Sequence, residues 1–368
     1  MTGSASFPRV SPTVRRRFVA VDDTRWVQCH ASTLIRSGDS VEVAFFAGTA
    51  EGTPDNRILM ASSTDLATWT DPLRMDEGDA VAHWNPVLAH DPTGRLGLFY
   101  KHGALISAWS TRFRRRRDDR TWEPARELVP GDSGGRGPVR NAPIVAAGRW
   151  FAPASTEDWE ADGGAVWESF VDVSADDGAT WTALRIPLDR TALRGAGIIQ
   201  PALWFDRRGG ISALCRSTEG SVYLSRSIGT ADDVRGFEPA RPAGLPNNNS
   251  GLAVLALPDG RLVCAHNPVS GDWAARCPLG LSVSDDDGPT WRYALTVEDG
   301  VTRIGDGPEP SDGSGHAPTT ASATGVVTTG VGEYSYPAII LDGERLLISY
   351  TWQRRGIVVA DIPVAALG

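Results

Sequence analysis

One octapeptide turn recurs along this chain. It is complete twice, as Ser174-Ala-Asp176-Asp-Gly178-Ala-Thr180-Trp181 and Ser284-Asp-Asp286-Asp-Gly288-Pro-Thr290-Trp291, both reading S-x-D-x-G-x-T-W. Degenerate copies end at Trp69, Trp122 and Phe237, so successive aromatic ends stand 53, 59, 56 and 54 residues apart. A near-constant period of this size marks a repeated supersecondary unit, which limits the fold more than any single motif does. Within the turn, Asp bonds nearby backbone N–H groups and Gly accepts positive φ, making a tight hairpin, while the Trp covers the sheet.

Two further signals keep step with the turn. A strand opened by a turn occurs six times, as Ser40–Phe46, Arg95–Tyr100, Arg149–Ala154, Gly210–Cys215, Arg261–His266 and Arg345–Tyr350. Some ten residues ahead of each, a polar residue opens a short apolar run that often carries Pro; these residues are His30, Asn85, Asn141, Gln200, Asn249 and Tyr336. No helical period is evident. The pattern predicts an all-β protein, a six-bladed β-propeller of four-stranded antiparallel blades, with residues 1–368 as a single domain. Closure is expected where Phe18–Val21 meets Gly356–Ile362. Residues 298–332, rich in Gly, Ser, Thr, Asp and Pro, stretch the strand step to 84 residues and read as an insertion before the last blade, of the kind that forms lids.

Composition narrows the function. With 36 basic against 45 acidic side chains and a formal charge of −9, the chain has no electrostatic footprint for a phosphate backbone, which excludes nucleic acid as a partner. Apolar runs such as Gly251–Leu257 fall far short of the roughly 20 residues of a membrane-spanning helix, so no membrane partner is expected. Arg15, Arg16 and Arg17 are followed by no apolar block of a secretory signal, and a cytoplasmic location is expected. Cys29, Cys215, Cys264 and Cys277 show no CxxC spacing and read as reduced structural thiols. No HxH or HExxH cluster, GxGxxG or GxxxxGK spacing occurs, and Asp285 to Asp287 belong to the turn motif, so neither metal nor cofactor is expected. His83 and His90 read as loop residues. Lys101, the only lysine, is a candidate titratable amine.

The turns and the runs Cys29-His-Ala-Ser-Thr33, Trp84-Asn-Pro-Val-Leu88, Gly135-Arg-Gly-Pro-Val-Arg-Asn141, Leu245-Pro-Asn-Asn-Asn-Ser-Gly251 and Glu333-Tyr-Ser-Tyr-Pro-Ala-Ile-Ile340 resemble the Asp-box (BNR repeat) sialidase-like proteins, six-bladed propellers acting on glycans. The resemblance implies three arginines on a substrate carboxylate, a nucleophilic Tyr activated by a Glu, and an Asp general acid. It places the second arginine at Arg216, the nucleophile at Tyr334 and the acid at Asp55. The sequence departs from the pattern in three places. The expected Arg-Ile-Pro is Cys29-His30-Ala31, the Glu expected some 16 residues before Arg216 is Gln200, and the third arginine has no match, since Arg303 lies in the insertion.

In a propeller the inner strands surround a channel with the active site at one mouth. The residues opening those strands are therefore substrate-binding candidates: Asn85, Asn141, Gln200 and Asn249, joined by Arg140, Arg216, His266 and Arg354. Cations converging in an acidic chain favour an anionic ligand. Catalytic candidates are Tyr334, Asp55, His30, Tyr336 and Lys101. Asp55 with Tyr334 would serve an exo-acting glycoside hydrolase on a small acidic oligosaccharide. His30, Tyr336, Lys101 and Arg216 would serve a small-molecule pathway enzyme performing elimination, isomerisation or cyclisation. A glycan-binding propeller without turnover is the third alternative.

Overall fold

Successive side chains of a strand point to opposite faces, and strands such as Ser40–Gly48 and Ile211–Ser217 are buried along almost their whole length, so each sheet packs on a neighbour through both faces and six such sheets surround a common axis. The computed structural model describes residues 7–118, 120–132, 134–159, 164–311, 319–322, 325–328 and 330–368. From the axis outward, blade 1 contains Gln28–Ser37, Ser40–Gly48, Arg57–Ser63 and Leu73–Arg74, and blade 2 contains His83–His90, Leu96–His102, Ser110–Arg115 and Arg126–Glu127. Blade 3 contains Ile144–Ala146, Arg149–Trp159, Ala165–Ser174 and Thr182–Arg185; blade 4 contains Ile198–Phe205, Ile211–Ser217, Ser221–Arg226 and Arg241–Pro246. Blade 5 contains Ala253–Ala256, Leu262–His266, Leu279–Ser284 and Arg292–Glu298. Blade 6 contains Tyr334–Asp342, Arg345–Trp352, Gly356–Pro363 and, from the other end of the chain, Arg15–Val21. The six-bladed propeller of four-stranded antiparallel sheets is as the repeats predict.

Closure pairs Arg15 with Asp361 and Val21 with Gly356, so the N-terminal strand completes blade 6 as its outer strand and ties the two ends of the chain together. The seam also carries a buried ion pair, Arg16 Nη1 to Glu298 Oε2 at 2.6 Å, to which the Tyr350 hydroxyl donates at 2.9 Å. The core lies between blades. Val43 and Phe45 of blade 1, for example, pack with Leu347 and Val359 of blade 6.

The two complete turns are built alike. Ser174 Oγ accepts from Gly178 N at 2.9 Å, and Asp176 takes the backbone N–H and hydroxyl of Thr180 at 2.9 and 2.6 Å. In the other copy Gly288 N donates to Ser284 Oγ at 2.8 Å, and Asp286 takes the same two groups of Thr290 at 3.0 and 2.6 Å. Gly178 and Gly288 sit at φ of 79° and 107°, where a β-carbon would strain the turn. The variable acidic residue between them does something the repeat does not advertise. Asp177 binds Arg115, and Asp287 binds Arg226, each arginine ending the third strand of the preceding blade. The turn therefore stitches neighbouring blades together.

The insertion begins later than its composition suggests, because Glu298 still belongs to the outer strand of blade 5. Within it Thr319–Ser322 pairs with Gly325–Thr328 as a two-stranded ribbon. Residues 312–318, 323–324 and 329, on which the lid reading partly falls, lie outside the described residues.

Candidate active site

Five inner strands carry a residue at positive φ near their start: Ala31, Asn85, Gln200, Asn249 and Tyr336, at φ of 42–57°. In blades 1, 2, 4 and 6 the ladder register also shifts there, so the residue is a bulge that turns its side chain out of the sheet. Gln200, Asn249 and Tyr336 meet at one guanidinium. Arg216 donates through Nε to Asn249 Oδ1 at 2.7 Å and through Nη1 to the Tyr336 hydroxyl at 2.7 Å and to Gln200 Oε1 at 3.2 Å. Its flat cation lies 5.3 and 5.5 Å from the rings of Trp167 and Trp273, which hold it in place without neutralising it. Asn141 completes the arc by donating to the carbonyls of Gln200 and Pro201.

Tyr336 is ringed by cations. Arg140, Arg276 and Arg216 lie 5.2, 5.6 and 5.9 Å from its ring centroid. Arg276 is tied to Glu333, and so is Arg354, by contacts of 2.6 and 3.0 Å; Arg354 also binds Glu51 at 2.5 Å. Burial alone would raise the Glu333 carboxyl, but Arg354 and Arg276 hold it well below the usual carboxylate range. Arg216 and Arg140 differ from these two. Both are buried, and among the described residues neither has a carboxylate within ion-pair distance. Burial lowers Arg140 to about 10, opposed by Tyr336, and its Nε has no partner.

His30 does not occupy the bulge. That position in blade 1 is Ala31, and His30 pairs with Phe46 as Ile199 pairs with Arg216, one residue earlier. The imidazole nonetheless reaches the site. Its ring lies 4.2 Å from that of Tyr336, its Nδ1 is 2.8 Å from Thr351 Oγ1, and its Nε2 is buried without a partner. Burial and then Arg354 push it well below the usual histidine value, so it is neutral near pH 7.

Four residues singled out from the sequence do not stand where their proposed roles require. Tyr334 is wholly buried between blades 5 and 6, its hydroxyl donating to Gly300 O at 3.4 Å and accepting from Gln353 Nε2 at 2.9 Å; the bulge between Ser335 and Ala338, with Tyr336 at positive φ, breaks the alternation that would put both rings on one face and turns Tyr336 to the funnel. Asp55 is exposed and held by Thr49 and Thr53; burial would raise it, but those hydrogen bonds lower it, which suits a turn better than a general acid. Lys101 spends all three ammonium protons on Thr111 Oγ1, Gly135 O and Arg136 O, at 2.7, 2.9 and 3.0 Å, and bridges blade 2 to the segment before blade 3. Burial lowers it to about 7. His266 is bonded to Ser282 in its own blade at 2.9 Å, and burial lowers it to about 4. His83, read as a loop residue, instead opens the inner strand of blade 2 and is buried; His90 ends that strand, exposed.

Three groups escaped the sequence reading or were undervalued by it. Arg276 sits in the segment between the second and third strands of blade 5, beside Trp273, and reaches both Glu333 and the Tyr336 ring. Glu333 neighbours the tyrosine that drew attention. Glu157, on the second strand of blade 3, is half-buried as a residue, yet its carboxyl is hemmed in by protein; burial, opposed by Arg216, raises it to about 7. The signal for Glu157 was a carboxylate at the mouth end of a second strand, as Arg216 is a cation at the end of another. Below the bulges the inner strands line a second, largely apolar cavity of about 320 Å³, reached by Arg140, Asn141, Trp204 and Ile340.

No curated protein sequence matches this chain. Among solved structures, a protein of unknown function from Dyadobacter fermentans superposes with a TM-score of 0.68 at 15% identity, covering 95% of this chain and 99% of that one. A Trypanosoma rangeli sialidase mutant displaying trans-sialidase activity gives 0.66 at 13%, with 98% of this chain and 60% of that one covered. The NanB sialidase of Streptococcus pneumoniae gives 0.65 at 11%, with 96% and 71% covered. This chain thus spans about three fifths of the trypanosomal enzyme's length. At these identities the likeness is one of fold. The BNR repeat-like domain model matches residues 39–348, the stretch that carries the recurring turns, and by that match over most of its length the chain belongs to the BNR repeat-like family, in a sialidase-like propeller fold.

Proposed function

We propose that this protein is a glycoside hydrolase acting on the end of a small carboxylated saccharide, with Arg216 binding the carboxylate and Tyr336 as nucleophile. The observation that carries the reading is the pair of buried guanidiniums, Arg216 and Arg140, that face Tyr336 with no carboxylate of their own among the described residues. An uncompensated buried cation is costly, and an anionic ligand is the natural counter-charge. Glu157, raised to about 7 beside Arg216, is suited to protonate the leaving oxygen. The tyrosine proton needs another acceptor, because the Gln200 amide 3.4 Å away cannot take it. Neutral His30, with its unpartnered Nε2, is the candidate.

The same imidazole supports a second reading. A neutral base beside a cation-bound carboxylate is also the arrangement for removing a proton next to that carboxylate, which would make the reaction an elimination. A panel of aryl glycosides of uronic, sialic and neutral sugars, offered to wild type and to Tyr336→Phe and His30→Gln, separates the two. Aryl release from an acidic sugar that Tyr336→Phe abolishes supports hydrolysis. Release accompanied by a new carbon–carbon double bond, lost in His30→Gln, supports elimination. Binding of acidic sugars without turnover would leave a binding propeller.

A further inference from the structure

A second cluster of chemistry-bearing side chains stands at the rim of the same face, apart from Tyr336. The segment leading from blade 1 into blade 2 brings Glu77 and Asp79 against the first residue of the inner strand, His83, and the last residue of the second strand, His102. The imidazole of His83 is completely buried. Its Nδ1 lies 3.3 Å from the carbonyl oxygen of Asn56, which can only accept, so Nδ1 is the donor there and Nε2 is the ring atom turned toward the carboxylates. That Nε2 has no hydrogen-bond partner. It points between two carboxylates, 3.4 Å from Glu77 Oε2 and 3.6 Å from Asp79 Oδ1, and Asp79 Oδ2 in turn accepts from His102 Nε2 at 2.8 Å.

We infer that His83, His102, Asp79 and Glu77 form a site for a divalent transition metal of the zinc class. Two imidazole nitrogens and two carboxylates are a borderline donor set of the kind zinc accepts. Metal–ligand distances of about 2.0–2.2 Å in a tetrahedron place neighbouring donor atoms about 3.3 Å apart. The His83 separations already stand near that value, and one candidate donor atom from each of Asp79, His83 and His102 lies within 4.8 Å of the others. The outer partners are those a metal site needs. The Asn56 carbonyl fixes the His83 tautomer, and the Tyr100 hydroxyl donates to Glu77 Oε2 at 2.8 Å, orienting the carboxylate. Arg112 approaches the other oxygen, Oε1, through Nε at 3.6 Å and binds Glu127 through Nη1 at 3.2 Å. On binding, the metal takes the place of the proton between His102 Nε2 and Asp79, and that proton moves by way of solvent to His102 Nδ1, so the ligating imidazole stays neutral. Asp79 is exposed and His102 partly so, which gives the ion a way in. The metal would pin the incoming segment to both mouth ends of blade 2, two residues from Asn85.

The test is calorimetric titration of the chelator-stripped full chain with Zn²⁺, and a parallel Co²⁺ titration followed by visible absorption. One equivalent is expected to bind, with a tetrahedral Co²⁺ spectrum and a thermal midpoint raised by several degrees. Asp79→Asn and His102→Gln, on the accessible side, are expected to weaken binding by at least about 10-fold while unfolding like the wild type in chelator. Absence of binding, or binding that both variants leave intact, overturns the proposal and makes the cluster a histidine–carboxylate network alone.

Discussion

The Tyr336 hydroxyl accepts a hydrogen bond from Arg216 Nη1 at 2.7 Å, joining blade 4 to blade 6 past the intervening blade 5. Two residues earlier, Tyr334 places its hydroxyl in the wall between blades. The two tyrosines therefore make opposite predictions. On the proposed hydrolytic reading, Tyr336→Phe is expected to lower kcat by at least about 10³-fold, with the loss of the buried bond to Arg216 costing about 1–3 kcal/mol of stability besides. Tyr334→Phe is expected to cost about 1 kcal/mol of stability and leave the kcat of the folded protein alone. Parallel kinetics and urea unfolding decide it, and equal loss of kcat in both variants would remove Tyr336 from its role.

How much of this was legible beforehand follows from the range of the interactions. The Asp-box turns are local, closed by bonds between residues four apart, such as Thr180 N to Asp176, so they read directly from the sequence and fix the blade count. The funnel is assembled from blade 1 and blades 3 to 6, and a bulge decides which of two closely spaced residues looks into it. His30 against Ala31, and Tyr334 against Tyr336, differ by that single local choice, which leaves no trace in composition. Arg276 lies in a segment without repeat character, and its role appears only when Glu333 and Tyr336 are brought beside it.

Glu157 predicts an unusual pH dependence. Its folded value near 7 exceeds the ordinary 4.5, so between those values the folded chain holds a proton the unfolded chain has released. Its contribution to stability is complete below about pH 4.5 and is lost as pH rises through 7. Glu157→Gln is expected to stabilise the protein at pH 8 by about 1–3 kcal/mol relative to wild type, with no gain at pH 4. The same variant should lose the descending limb near pH 7 in kcat. Denaturant curves at the two pH values that show an equal difference would refute the raised carboxyl.

Glu333 is the hinge of the cationic cluster, because one buried carboxylate neutralises Arg276 and shares Arg354 with Glu51. Removing its charge leaves buried guanidiniums short of a partner. Glu333→Gln is expected to lose about 3–5 kcal/mol of stability. Arg276→Met in the same background should recover part of that loss, because it deletes the stranded cation. A double-mutant cycle in urea measures this coupling, and strict additivity of the two changes would show that the pair does not act as a unit.

His266 sets the acid limit. Buried and bonded to Ser282, it titrates near 4 when folded against 6.5 in the unfolded chain. Between those values the unfolded state binds the extra proton, so stability rises with pH across the window; the contribution is full above 6.5 and drains away as pH falls toward 4. His30, depressed in the same direction, adds to the slope. For His266 alone the loss approaches about 3 kcal/mol, at roughly 1.4 kcal/mol for each tenfold change in proton affinity. His266→Gln is expected to cost about 1 kcal/mol at pH 7.5, where the Ser282 bond is weakened, yet to flatten the decline between pH 6.5 and 4.5. Unfolding free energies measured across that interval should therefore converge for variant and wild type, or cross, at the acid end. A variant slope as steep as that of the wild type would place the responsible proton on another group.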